Sequence, residues 1–219
     1  MDVSCGIGRH AINLAKLGYH VVGFDPSPTF LRRAMQLSNE AGLNDEMIHF
    51  YQGEISQLPE VLHREHELAF DGIILMDTVL GYSGKTSDDV RLFIDLYELA
   101  SSGCVLIVEN FNREFSLEHH TRYWIESFPS NLERIITFNS KPGSRISEAE
   151  WDFYRGRRGG KSMRHLLNVR LRGRFYSQQE LKQIVKKADW KFIRSFGSVQ
   201  KLKRFSPKDD FHIVMVCRK

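Results

Sequence analysis

Two glycines stand in the run Gly6-Ile7-Gly8-Arg9-His10-Ala11, a G-x-G-x-x-A pattern between a short apolar start and a helical stretch. Glycines at this spacing let the backbone turn sharply and come close to a ligand. Alone, the pattern fits a dinucleotide-binding turn or an ordinary strand-to-helix loop equally well. Three acids narrow it. Asp25 ends the run Val21-Val22-Gly23-Phe24, 17 residues after Gly8, where a carboxylate could accept both hydroxyls of a ribose. Glu54 follows Gly53, where it could reach an adenine amino group. Asp2 precedes the glycines, and a carboxylate there suits a cationic amino group and is out of place beside a pyrophosphate. Asp2 thus favours S-adenosylmethionine over a nicotinamide dinucleotide as cofactor.

Such a turn needs a strand before it and a helix after it, and the chain supplies that rhythm repeatedly. Val21–Phe24 and Ile48–Tyr51 read as strands. Pro28–Ala41 has helical spacing, with Ser27 as N-cap and Gly42 as its stop. Phe70–Met76 reads as a buried strand and Asp88–Ala100 as a helix ended by Gly103. Cys104–Val108 is the most apolar run and is expected to be a central strand. A βαβα order of this kind implies a parallel sheet with helices on both faces. After Asn110 the rhythm changes. Residues 111–130 are polar and aromatic without a clear period. Leu132–Asn139, Glu148–Tyr154 and Met163–Arg174 read as an antiparallel meander, joined at Lys141-Pro142-Gly143-Ser144 and Gly156-Arg157-Arg158-Gly159-Gly160. Ser177-Gln178-Gln179-Glu180 is a capping box opening a helix to about Ala188. Trp190–Phe196 and Phe211–Cys217 close the chain as strands.

The 219 residues suffice for one α/β domain with a small attached subdomain, and 42% hydrophobic with 26% charged residues is ordinary for a globular protein. No run of 18 apolar residues and no signal peptide are present, so no membrane partner is expected. Cys5, Cys104 and Cys217 are dispersed in apolar surroundings and read as reduced thiols of a cytoplasmic protein, with no metal-ligand spacing. The net charge of +4 hides an asymmetry: residues 1–140 hold 10 Lys and Arg against 20 Asp and Glu, and residues 141–219 hold 21 against 7. That split implies an anionic partner, a contact between the two parts, or a solvated basic face.

Taken in order, these motifs resemble class I S-adenosylmethionine-dependent methyltransferases. Asp2-Val3-Ser4-Cys5-Gly6-Ile7-Gly8-Arg9-His10 resembles motif I, and Val22–Ser27 the second-strand motif. Gln52-Gly53-Glu54-Ile55 resembles the adenine motif, and Phe70–Thr78 the fourth-strand motif. Val79-Leu80-Gly81-Tyr82 and Tyr176-Ser177 are similar to a small-molecule branch with an antiparallel insert after strand five. Ser4 replaces the usual first glycine, and Glu54 the usual aspartate. The resemblance implies a Rossmann-like α/β fold: a seven-stranded, mostly parallel sheet of order 3-2-1-4-5-7-6 with its last strand antiparallel. Residues 1–110 and 175–219 would form the core, and 111–174 an insert acting as a lid and offering a homodimer contact. It also implies a cofactor site of Asp2, Ser4, Cys5, Gly6, Gly8, Arg9, Asp25, Pro26, Glu54, Ile55, Met76 and Asp77. Only Met1 precedes Asp2, whereas the family carries a full first strand and a helical lead that helps close the pocket. The chain is therefore expected to be truncated, or to start further upstream.

Methyl transfer from a sulfonium is an in-line displacement that mainly requires alignment, with a base needed only when the acceptor holds its proton. Ligands of open α/β sheets bind beyond the carboxyl ends of the strands. Asp77 and Tyr82 could steer or deprotonate an acceptor, or else cap a turn and pack on the adenosine. Asn110, Arg122, Tyr123 and Trp124 could meet the acceptor, and Arg122-Tyr123-Trp124 could clamp an anionic one or pack insert on core. His63 and His66, and the adjacent His119-His120, lack a third metal ligand. Arg155–Lys161 could touch RNA but reads as a basic hairpin tip. The expected partner is a small-molecule acceptor at an N or O nucleophile. An RNA or protein acceptor at the basic part and a non-catalytic cofactor-binding module are the alternatives.

Overall fold

The computed structural model describes residues 1–65, 69–118, 123–139, 144–156, 163–200 and 202–219. His66, His119-His120, Arg122, the Lys141-Pro142-Gly143 turn and residues 157–162 of the basic hairpin tip lie outside them. Strands β1 (Asp2–Val3), β2 (Val21–Asp25), β3 (Ile48–Gln52), β4 (Phe70–Leu75) and β5 (Ala100–Phe111) alternate with helices α1 (Arg9–Lys16), α2 (Pro28–Glu40), α3 (Leu58–Arg64) and α4 (Thr86–Leu99). Helix α5 (Arg113–Glu118) leads to strands β6 (Tyr123–Phe128), β7 (Leu132–Phe138), β8 (Ile146–Arg155) and β9 (Arg164–Arg174). Helix α6 (Gln178–Lys187) and strands β10 (Lys191–Phe196) and β11 (His212–Arg218) complete the chain.

The main sheet runs β3-β2-β1-β4-β5-β11-β10. Its first five strands pair in parallel, and β11 runs antiparallel to both β5 and β10. This is the order and the reversed last strand that the resemblance implies. Strand β1 lies at the centre, Asp2 facing Gly23 on one side and Ile74 on the other. The core forms where the strand and helix interiors meet: Val3, Phe24, Ile73 and Leu106 pack with Leu58, Phe93, Leu96 and Leu181, all buried. Burying each such side chain stabilises the fold by about 1.5–3 kcal/mol.

Three elements differ from the sequence reading. The stretch after Glu54, to which the sequence reading assigned no element, contains α3, whose Leu58, Val61 and Leu62 are buried; at seven residues its apolar face is too short to show a clear period. Gly103 does not end α4. The helix stops at Leu99 and β5 begins at once, with Gly103 left-handed (φ 82°) inside an excursion of β5 from Ala100 to Val105 opposite Phe70 to Gly72. The insert is a four-stranded sheet, β6-β7-β8-β9, and not a three-stranded meander. Strand β6 has no two-residue alternation, and its signal is the turn that follows: Ser130 and Asn131 are left-handed (φ 66° and 56°), so Phe128 pairs with Leu132 in a tight hairpin. The capping box is present as read, with Ser177 Oγ accepting from Glu180 N and Glu180 Oε2 accepting from Ser177 N.

Candidate functional site

The glycine turn links β1 to α1. Ser4, Gly6 and Gly8 are all left-handed (φ 59°, 57° and 76°). A Cβ on Gly8 would meet Ala34 Cβ and the Phe50 ring at 3.1 Å, whereas a Cβ on Gly6 would meet nothing within 4 Å. Gly8 is thus required by packing, and Gly6 by backbone conformation in an open cradle. Ser4 bears the left-handed cost that a glycine would avoid, roughly 1–2 kcal/mol.

Two carboxylates fix this turn. Asp25 Oδ2 accepts from Gly6 N at 2.8 Å, and its Oδ1 accepts from Ser27 N at 2.9 Å. Each oxygen retains capacity for a further donor, and Asp25 is among the residues that line the cleft. Asp2 lies beneath the turn at 1% exposure, its Oδ2 accepting from Ala11 N at 3.1 Å in the first turn of α1. That contact replaces the N-cap side chain that Gly8 lacks. Burial pushes the Asp2 carboxyl up to about 7, against the pull of the Ala11 N–H and the N-terminal amine; Asp25 and Asp77 add to the rise. Asp2 does not reach the cleft wall.

More of the lining comes from the ends of β3 and β4. Glu54 caps a 3-10 turn at Ile55–Gln57 in a reciprocal box with Gln57. Beyond Leu75, Asp77 and Thr78 are consecutive left-handed residues (φ 60° and 63°), a strained pair of the kind found at functional sites. Buried Glu109 supports them: its Oε2 accepts from Asp77 N at 3.4 Å, and its backbone carbonyl from Thr78 N at 3.3 Å. Arg9 Nη2 meets Asp77 Oδ2 at 2.6 Å across the mouth. Both groups are exposed, so the pair contributes at most about 1 kcal/mol. Burial lowers the His10 imidazole pKa, Arg9 adding to the effect and Asp77 and Glu109 opposing it. Desolvation, then Asp77, raises that of the Tyr82 phenol. Burial also pushes the Cys5 thiol up, with Asp2 and Asp25 adding to the rise, so it is no nucleophile.

These walls enclose a cleft of about 1170 Å3. It brings together Ser4, Cys5, Gly6, Arg9, Asp25, Pro26, Glu54, Ile55, Met76, Asp77 and Tyr82 from the sequence reading. It adds His10, Phe30, Asp89, Arg91, Asp95 and Arg134, which the sequence reading missed. Arg134 comes from the second sheet, bonded to Glu126 and stacked with its guanidinium 4.3 Å from the Trp151 ring. No pattern in its own strand signals it. A smaller recess of about 30 Å3, lined by Leu80, Phe111, Ala149, Trp151, Leu171 and Phe175, shares Thr78 and Tyr82 with the cleft.

Two of the expected acceptor residues stand elsewhere. Asn110 is fully buried within β5, which continues through Phe111 because β11 pairs along it, Asn110 facing Ile213. Tyr123 is 59% exposed on β6 opposite Thr137. Trp124 faces Ile136 in the same ladder, its side chain outside the described residues. Among the described residues, no group of three or more His, Cys, Asp or Glu is placed to hold a metal, and no helix is long and apolar enough to cross a membrane.

A sequence model of the methyltransferase domain matches residues 1–189. A glycine/sarcosine N-methyltransferase of Parasynechococcus marenigrum is 28% identical over 118 residues, covering 54% of this chain and 39% of that protein. The chain therefore spans well under two thirds of that relative's length. Among solved structures, the CcbJ methyltransferase from Streptomyces caelestis superposes with a TM-score of 0.79 at 18% identity, covering 99% of this chain and 81% of that one. SAM-bound CalS10, an amino pentose methyltransferase from Micromonospora echinaspora, superposes with a TM-score of 0.72 at 15% identity, covering 100% and 82%. At such identities the structures share the fold.

Proposed function

The chain belongs to the methyltransferase-domain family, whose class I members use S-adenosylmethionine, and from that membership we propose that it methylates a nitrogen or oxygen of a small-molecule acceptor. The observation that carries this reading is the composition of the cleft. One wall is the glycine turn with Asp25 and Glu54, and the other includes Arg134 of the antiparallel sheet. A site bounded in this way suits a small molecule with an anionic group near Arg134. The similarity to enzymes named for glycine or sarcosine and for an amino pentose supports an amine as acceptor.

The donor set fits the cofactor. The open cradle at Gly6, the spare lone pairs of Asp25 and the exposed Glu54 carboxylate match a nucleoside's hydroxyls and amino group, and Ile55 and Met76 offer apolar surface. The bound cofactor would supply an activated methyl on a sulfonium. The chain's own contribution is alignment, with effective molarities that can reach about 10⁵ M or more. Asp77 would steer a cationic acceptor. Tyr82, its phenol pKa raised, stays protonated and donates a hydrogen bond. His10, kept neutral by burial, can take the acceptor's proton as the imidazolium gains Asp77 and Glu109 as counter-charges.

Calorimetric titration with S-adenosylhomocysteine, followed by labelled-methyl transfer to a panel of amines, amino acids and hydroxylated acids, tests this reading. Binding plus transfer to a small acceptor is expected. Binding without transfer to any of them, together with tRNA affinity that weakens steeply with salt, would favour the RNA alternative suggested by the basic C-terminal part. Absence of binding removes both readings.

A further inference from the structure

Asp89, in the first turn of α4, is a buried acid with no part in the chemistry above, although it borders the cleft. Its Oδ1 accepts from Gly81 N at 3.1 Å, and its Oδ2 accepts from the hydroxyl of Tyr176, a fully buried residue just before α6. Gly81 in turn accepts from Arg174 N, at the end of β9, at 2.8 Å. Gly81 is left-handed (φ 88°), and a Cβ there would collide with the Arg174 carbonyl oxygen. The Arg174 guanidinium lies 5.2 Å from the centre of the Tyr176 ring and 3.5 Å from Glu180 of α6. The Asp89 carboxylate therefore ties the turn after β4 to the entry to α6, and the Gly81 carbonyl ties that turn to the last strand of the second sheet.

These segments form the recess beside the cleft. Thr78, Leu80 and Tyr82 come from the turn, and Leu171, Gly173 and Phe175 from the end of β9 and just beyond. Tyr82 faces both spaces. We propose that the Asp89–Tyr176 pair is a positioning element for the acceptor: by fixing Gly81 against Arg174, it sets the width of the apolar recess and the place of Tyr82. The proposal rests on the small-molecule reading above. It assigns the recess to an apolar group of the acceptor, and at about 30 Å3 the recess admits something the size of a methyl or methylene.

Three variants test it. Tyr176→Phe keeps the ring and removes the hydroxyl. Asp89→Ala removes both acceptors. Asp89→Asn keeps an oxygen for Gly81 N while its amide can donate to the Tyr176 hydroxyl, which accepts as well as donates. Tyr176→Phe and Asp89→Ala are expected to raise the acceptor KM by about tenfold or more, the scale of a lost hydrogen bond to a charged group. S-adenosylhomocysteine affinity should stay within about twofold, and Asp89→Asn should restore most of the acceptor KM. Independently of any acceptor, amide hydrogen exchange at Gly81 and Arg174 should quicken by about tenfold or more in Tyr176→Phe while the β1–β5 amides stay protected. Unchanged exchange at Gly81 and Arg174 overturns the proposal. So does a parallel loss of cofactor-product affinity and global stability, which would make the pair a fold staple only. If wild-type protein binds S-adenosylhomocysteine yet methylates nothing in the panel, the acceptor reading fails while the exchange measurement still decides whether the pair holds the two walls.

Discussion

Replacing Asp2 by asparagine isolates the most perturbed carboxyl of the site. Asp2 is 1% exposed, accepts one backbone N–H from Ala11, and has its pKa pushed by burial from 3.8 to about 7. A carboxyl whose folded pKa exceeds its unfolded value binds more protons when folded, so stability falls as pH rises. Its contribution is fully present below pH 3.8 and is lost as pH climbs through about 7. At about 1.4 kcal/mol per pH unit, the whole interval corresponds to roughly 4 kcal/mol, of which roughly 3 kcal/mol falls between pH 5 and pH 8. An asparagine side chain at this position keeps an oxygen for Ala11 N and carries no charge. Urea unfolding of wild type and Asp2→Asn, followed by far-UV circular dichroism from pH 5 to pH 8, should therefore show a growing gap. The variant becomes the more stable protein at pH 8, by a few kcal/mol. A gap independent of pH, or a variant less stable than wild type at pH 8, would refute the assignment of Asp2 as a buried carboxyl held beneath the turn.

Further outcomes follow from the same geometry. Gly8→Ala meets both a left-handed backbone and two contacts at 3.1 Å. It should lower unfolding free energy by about 1–3 kcal/mol and weaken S-adenosylhomocysteine binding in calorimetry. Arg134→Lys should raise the acceptor KM nearly as much as Arg134→Ala, with cofactor-product affinity unchanged, because a lysine reproduces neither the fork to Glu126 nor the stack on Trp151. Cys5 and Cys217 are buried, and burial pushes the Cys217 thiol up to about 12. Both should resist iodoacetamide at pH 8 in the folded protein and react fully in denaturant, as peptide mass spectrometry can show.

The glycine-turn side of the cleft was legible in the sequence because it is built from local features. The glycines, Asp25 and Glu54 each stand at the end of a strand, and strand ends are marked by apolar runs and turn residues. The order of the sheet came from the resemblance to class I methyltransferases, not from any pattern in the residues themselves. The Arg134 side of the cleft was less legible because it depends on pairing between distant segments. Asn110 read as lying past a strand end, but β11 pairs along β5 as far as Phe111 and buries it. Arg134 faces the cleft because of where the second sheet sits, which no spacing in its own strand reveals. Asp89 and Tyr176 meet across 87 residues of chain, and Gly81 binds the same carboxylate. Glu109 was hidden by its run of apolar neighbours, and its role appears only when it supports the left-handed Asp77–Thr78 pair.

The most direct test of the account is cofactor-product binding at Asp25. Isothermal titration of S-adenosylhomocysteine into wild type and Asp25→Asn should give one site per chain, with the variant weaker by about a hundredfold. Asparagine has a single acceptor oxygen to divide among Gly6 N, Ser27 N and the ligand, and two hydrogen bonds to a charged group are worth about that much. No binding to the wild type, or equal affinity in the two proteins, would contradict the placement of the cofactor in this cleft.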